Sequence, residues 1–132
     1  MNNLKDIKIL KITIPLIPRT KKNSQRIFKT PSGRLFIAPS KAYKDYENDC
    51  KYFLRRGQNC PLSVKVNVKA IFYMPTKRRV DLVNLEEAIL DILVKYEILE
   101  DDNCKIVVSM DGSRVDYDKD NPRTEIEIKK LD

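Results

Sequence analysis

Residues 62–97 hold the strongest constraint on the fold, because a run with period two is followed, across one proline, by a run with period 3.6. Val64, Val66, Val68, Ala70, Phe72 and Met74 share one face of the first run, with Lys65, Asn67 and Lys69 opposite. That is the pattern of a long half-buried strand, and Pro75 stops it. From Leu82 to about Glu97, the residues Leu85, Ala88, Ile89, Ile92, Leu93 and Tyr96 follow the i, i+3, i+4, i+7, i+8, i+11 spacing of a one-sided helix. A strand and a helix that are each apolar on one side cover one another, so the chain is read as α+β.

The remaining elements are weaker signals of the same kind. Residues 7–14 are β-branched and roughly alternating, a first strand that ends at Pro15 and Pro18. A polar, basic loop (residues 19–25) leads into two short strands joined at Pro31-Ser32-Gly33. Ser40 suits the N-cap of a helix running to about Arg56, with Arg55 and Arg56 at its negative end and Gly57 at C′. Tyr43, Tyr46, Cys50, Phe53 and Leu54 form the apolar stripe of that helix. Residues 106–108 and 124–128 read as the last strands, separated by a polar loop. The predicted order is β-ββ-α-β-α-β-β, a small mixed β-sheet with two helices packed on it, in a single domain spanning residues 1–132.

Composition narrows the function. Apolar residues make up 42% and charged ones 34% of the 132 residues, a globular mixture. No apolar run approaches the ~18 residues of a membrane span, and Lys5, Lys8 and Lys11 interrupt the hydrophobic N-terminal stretch. The three cysteines (Cys50, Cys60, Cys104) make neither an even framework nor a CxxC pair, which fits reduced thiols and a cytoplasmic location. There is no histidine. A Ser-His-Asp triad, a histidine base and a His-containing zinc site are therefore excluded. Hydrolysis by this chain has to run on carboxylates, lysines or tyrosines with a hard metal ion.

The net charge of +7 is unevenly distributed. Residues 19–56 hold eleven Lys/Arg against three Asp/Glu, and residues 81–102 hold eight acids against the single base Lys95. Such a chain is either a solvated surface of varying sign or a phosphate-gripping surface beside a carboxylate site for a divalent cation. On the second helix, Asn84, Glu87 and Asp91 fall on one ~60° stripe opposite the apolar face. Asp81 precedes that helix, at the end of the basic loop Lys77-Arg78-Arg79, and Glu100-Asp101-Asp102 lies ten residues after Asp91 at the start of the next strand. A helix packed on a sheet would bring these carboxylates together, a donor set suited to Mg²⁺. Ordinary structural uses compete: Asp81 as a helix cap, Asn84 and Glu87 as a capping box, Asp91 and Lys95 as an i, i+4 ion pair. Asp116, Asp118, Asp120 and Glu127 have calcium-loop spacing, but Asn121-Pro122 stands where the loop needs glycine, so an EF-hand is set aside.

The run Asp81-Leu82-Val83-Asn84-Leu85, then Ala88, Asp91 and Leu93, then Asp101-Asp102, resembles the RusA family of Holliday junction resolvases. More loosely, the likeness extends over most of the chain, from the N-terminal strand to Ile126-Glu127-Ile128. It implies a RusA-like fold and an Mg²⁺-dependent (or Mn²⁺-dependent) homodimeric endonuclease of bacteria and their prophages, resolving branched DNA in recombination and repair. By position, Asp81 matches the first catalytic aspartate, Asp102 the last, and Asp91 a further helix aspartate. Two positions depart from the pattern: Val83 replaces a second aspartate, and Glu87 replaces a lysine. The expectation is that Glu87 supplies the missing carboxylate. Catalysis would then rest on Asp81, Glu87 and Asp102, and metal binding on those three with Asp91. Lys21, Lys22, Arg26, Lys77, Arg78 and Arg79 would grip phosphates. The competing account is a chain that has lost cleavage and only binds DNA junctions.

Overall fold

The computed structural model describes residues 8–21, 25–54 and 61–131 and, of 25–28 and 36–39, the backbone alone. The predicted Arg55, Arg56 and Gly57 cap, Lys22 and Cys60 lie outside these residues. The elements in chain order are β1 (Ile9–Ile14), β2 (Gln25–Lys29), β3 (Leu35–Pro39), α1 (Lys41–Asp49), β4 (Val66–Met74), α2 (Leu82–Lys95), β5 (Val107–Ser109), β6 (Arg114–Tyr117) and β7 (Arg123–Lys130). A short 3-10 turn, Cys50–Tyr52, follows α1.

Four of these strands line up as β1-β7-β4-β5, and β6 pairs with the same edge of β4 as β5 does. β7 runs antiparallel to both β1 and β4, whereas β5 and β6 run parallel to β4. The sheet is therefore mixed and the class α+β, as expected. β2 and β3 form a separate hairpin, Gln25 opposite Pro39 through Lys29 opposite Leu35. Its turn needs Gly33, whose φ is +87°.

Parity decides what the sheet buries. Val66, Val68, Ala70 and Phe72 of β4, Thr124, Ile126 and Ile128 of β7, and Ile14 of β1 point to one side and are almost inaccessible. With the exception of Thr124, they join the stripes of α1 (Tyr43, Tyr46) and α2 (Leu85, Ala88, Ile89, Ile92, Leu93) in a single core. Cys50 and Leu54 extend the α1 stripe as expected, while Phe53 is partly exposed.

Three details differ from the sequence reading. Val64 is 45% exposed, because the chain bends there and the strand starts at Val66. The Leu62 N–H donates to Ile98 O and the Glu100 N–H to Leu62 O (both 2.9 Å), so this stretch bridges to Leu99 instead. The α1 helix stops at Asp49, well before Arg56, and tightens into the 3-10 turn. β6 is an additional strand inside the expected polar loop. Between β5 and β6 the β4 edge is held by a side chain: Asn67 Oδ1 accepts from Ser109 Oγ (2.6 Å) and the Asp111 N–H (2.8 Å), and Asn67 Nδ2 donates to Asp111 O (3.2 Å). The amide thus stands in for ladder bonds where the edge changes strand.

The α2 helix is fixed at both ends. Asp81 is its N-cap, its Oδ1 accepting from the Val83 N–H at 3.0 Å. At the other end Glu97 has φ +62°, the Glu97 N–H donates to Val94 O (3.1 Å) and the Ile98 N–H to Leu93 O (2.9 Å). This is a Schellman motif with a glutamate where glycine is usual, and its flanking Leu93 and Ile98 are buried. None of the helices among the described residues is long and apolar enough to cross a membrane.

Candidate active site and nucleic-acid interface

The loop between β4 and α2 brings the basic run and the first carboxylate to one place. Ile17, Pro18, Arg19 and Thr20 lie against Met74, Pro75, Thr76, Arg78, Arg79, Val80 and Leu85, and these residues line one cleft. Buried Pro18 and Thr20 pin the N-terminal segment there. Arg19, Arg78 and Arg79 remain exposed, so three guanidinium groups serve the cleft. A neighbouring hollow is lined by Arg79, Val80, Asp81, Leu82 and Asn84. Arg79 belongs to both. The basic cleft therefore opens on the N-terminus of α2, whose dipole adds positive potential.

Of the expected phosphate-gripping residues, Lys77, Arg78 and Arg79 are exposed on this loop, and Lys77 Nζ lies 5.2 Å from the ring centroid of Tyr117. Lys21 is placed differently. Its Nζ is 2.9 Å from Asp91 Oδ2, and with Asn84, Glu87 and Ala88 it lines a small hollow on the polar stripe of α2. Arg26 lies in β2, its side chain outside the described residues, as is Lys22. Arg19 is a cleft residue that the sequence reading misses; the signal for it is its place at the head of the basic loop.

The acidic side chains are spread over three stations. Asp81 caps α2 and is exposed. Glu87 and Asp91 sit on the stripe, next to Lys21. Asp101 and Asp102 lie in a turn that precedes β5, not at a strand start: Asp101 Oδ1 accepts from the Asp102 N–H (2.7 Å) and Asp101 Oδ2 from Asn103 Nδ2 (3.1 Å). The Asp102 carboxyl is held above the usual carboxylate range, chiefly by partial burial, then by a hydrogen bond with Asp101 and the charge of Asp91. Asp91 and Asp102 thus feel one another across the gap between α2 and the turn.

Among the described residues no three acidic side chains gather closely enough to cage a metal ion. The reason is geometric. Residues 84, 87 and 91 span about 10 Å of helix rise, so one ion cannot be reached from both ends of the stripe. Asp91 is moreover engaged by Lys21. The donor chemistry still suits Mg²⁺ bound by one or two carboxylates and completed by water and substrate phosphate. The competing structural uses divide as follows. Asp81 is indeed a cap, which makes Asn84 an interior residue of the first turn, not the start of a capping box. The competing Asp91–Lys95 pair does not form: Lys95 Nζ reaches Glu47 Oε1 on α1 at 2.8 Å. In the acidic loop, Asp118 pairs with Arg123 (2.8 Å), and its other oxygen accepts from the Asp120 and Asn121 N–H groups. It is a turn, not a calcium loop.

No curated protein matches this chain. The model of a protein family described as Endodeoxyribonuclease RusA matches residues 15–129, the segment that holds the cleft, α2 and the Asp101-Asp102 turn. With 115 of its 132 residues inside that match, the chain belongs to the RusA endodeoxyribonuclease family.

Proposed function

We propose that this protein is a cytoplasmic, Mg²⁺-dependent endonuclease that resolves four-way DNA junctions as a homodimer. The observation that carries this reading is the basic cleft of Arg19, Arg78 and Arg79 opening onto Asp81. A duplex arm laid along the cleft has its phosphates neutralised by the arginines and presents one phosphate to the start of α2. These contacts position the DNA without reading its sequence, so recognition is of shape and weakens as salt rises. A junction has near two-fold symmetry, and a two-fold dimer sets one site against each of two opposed strands.

One or two of Asp81, Glu87 and Asp102 would hold the cation, with water and substrate phosphate completing its shell, and when bound it supplies an activated water and charge neutralisation at phosphorus. The side chains contribute the rest. Asp81 is already oriented by its bond to the Val83 N–H, and its side chain is open to solvent. Asp102 has its proton affinity raised by partial burial and by its neighbours Asp101 and Asp91. Mn²⁺ fits the same donors.

The second reading is a protein that binds junctions without cutting them. It is favoured by Val83, 64% exposed in the first turn of α2 and without a donor atom, and by the spread of the carboxylates. Incubation of a synthetic four-way junction and a matched linear duplex with Mg²⁺ or Mn²⁺ separates the two. Selective cleavage of the junction, lost in Asp102→Asn with binding retained, supports the enzyme. Binding without cleavage in both metals supports the second reading. Glu87→Gln with full activity would remove Glu87 from the metal site.

A further inference from the structure

Among the described residues, Lys21 is the basic residue of the proposed interface that sits against the carboxylate-bearing face of α2. Its Nζ is 2.9 Å from Asp91 Oδ2 and 5.9 Å from the ring centroid of Tyr43, so an ammonium from the N-terminal loop is set between α1 and α2. Lys21 and Asp91 are separated by 70 residues, and each side chain is only about one-third exposed (37% and 34%). Buried Pro18 and Thr20 immediately before it hold the backbone. A lysine that served only to attract phosphates would be expected to extend into solvent, as Arg78 and Arg79 do. Lys21 instead lines the hollow with Asn84 and Glu87.

We infer that Lys21 is the cation that meets the non-bridging oxygens of the scissile phosphate, and that Asp91 is the residue that positions it. This rests on the nuclease reading above. An ammonium has three donors. Asp91 takes one, which fixes the direction of the other two toward a phosphate lying over the stripe. There the charge stabilises negative charge gathering on phosphorus oxygens as water adds and the bond to the leaving oxygen breaks. Lys21 transfers no proton; it acts as a fixed positive charge. Asp91 accordingly acts through Lys21 and leaves the set of metal ligands.

The test uses the full-length wild type with Lys21→Met, Lys21→Arg, Asp91→Asn and the double variant Lys21→Met/Asp91→Asn. Circular dichroism confirms that each is folded. Junction affinity is read by mobility shift in EDTA, cleavage by single-turnover kinetics in Mg²⁺, and Mn²⁺ affinity by electron paramagnetic resonance without DNA. Lys21→Met is expected to bind the junction within about threefold of wild type but to cut about 100-fold more slowly. Lys21→Arg should recover about tenfold of that loss. Asp91→Asn should slow cleavage about tenfold without weakening Mn²⁺ binding, and the double variant should be no slower than Lys21→Met, the mark of residues acting as a unit. If the wild type cuts and Lys21→Met cuts equally well, this inference falls while the nuclease reading stands. If Asp91→Asn weakens Mn²⁺ binding tenfold and its effect multiplies with that of Lys21→Met, Asp91 is a metal ligand and the assignment is overturned. If the wild type cuts nothing, the nuclease reading fails and takes this inference with it.

Discussion

Asp81 does two jobs that a pair of substitutions pulls apart. As N-cap it accepts the Val83 N–H at 3.0 Å, and as a carboxylate it faces the hollow shared with Arg79 and Asn84. Removing an N-cap oxygen costs about 1 kcal/mol. Removing a negative charge from a helix N-terminus costs a further ~0.5 kcal/mol at an exposed position. Asp81→Ala loses both contributions, about 1.5 kcal/mol, which in a chain of this size lowers Tm by about 5–7 °C. Asp81→Asn keeps an acceptor oxygen in the same place and loses only the charge, so its Tm falls by about 2 °C. Cleavage should not follow that order. Both variants lose the carboxylate and should cut a four-way junction at least about 100-fold more slowly, equivalent to about 2.7 kcal/mol in the barrier. Thermal melts and single-turnover cleavage on the same preparations give the two orders side by side. An Asp81→Asn protein that cuts like the wild type would reduce Asp81 to a helix cap and refute the chemical role.

Three further outcomes test the surroundings of the site. Glu97→Gly should raise Tm by about 2–4 °C, because φ +62° costs a glutamate about 1 kcal/mol and glycine less; a lower Tm would show that the left-handed turn is not strained. Asn67→Ala should destabilise by about 2 kcal/mol in urea melts and speed amide exchange between Ser109 and Ser113, since three hydrogen bonds to the edge of the sheet are lost. Unchanged exchange there would mean that the loop holds itself. Asp91→Asn should lower the apparent pKa of Asp102 in a carbon-13 carboxyl titration, because one cause of its elevation is removed. The sign on stability follows: a carboxyl whose folded pKa is raised disfavours the fold once ionised. Stability therefore falls as pH rises from the unfolded to the folded pKa of Asp102, and Asp91→Asn flattens that fall. An unmoved Asp102 would place the two carboxylates out of each other's reach.

The α2 helix is legible in the residues themselves because everything that makes it is local. Its apolar residues recur every 3.6 positions, Asp81 caps it from the adjoining residue, and its boundaries agree at the start and within two residues at the end. β4 and β7 are legible for the same reason, through alternation. The hairpin at Gly33 follows from one residue's freedom at positive φ. β6 carries the faint alternation of Val115 and Tyr117, but all four of its residues are exposed. Its extended form depends on the edge of β4, a partner some forty residues away. Val64 shows the converse: its parity is right for the strand, and the bridge between Leu62 and Leu99 takes the backbone elsewhere.

The candidate site divides along the same line. Residue identities and short spacings are enough to rule out histidine chemistry, to single out Asp81, Glu87, Asp91 and Asp102, and to show the RusA pattern. Spacing does not say which of these charges meet, because side chains on different elements are brought together by packing and not by period. Asp91 has Lys95 one helical turn away, and Lys95 has Asp91. Tertiary structure instead gives Lys95 to Glu47 on α1 and Asp91 to Lys21 on the N-terminal loop. An ion pair between exposed neighbours on one helix is worth only a few tenths of a kcal/mol, so the packing of whole elements, driven by the burial of their apolar stripes, chooses the partners.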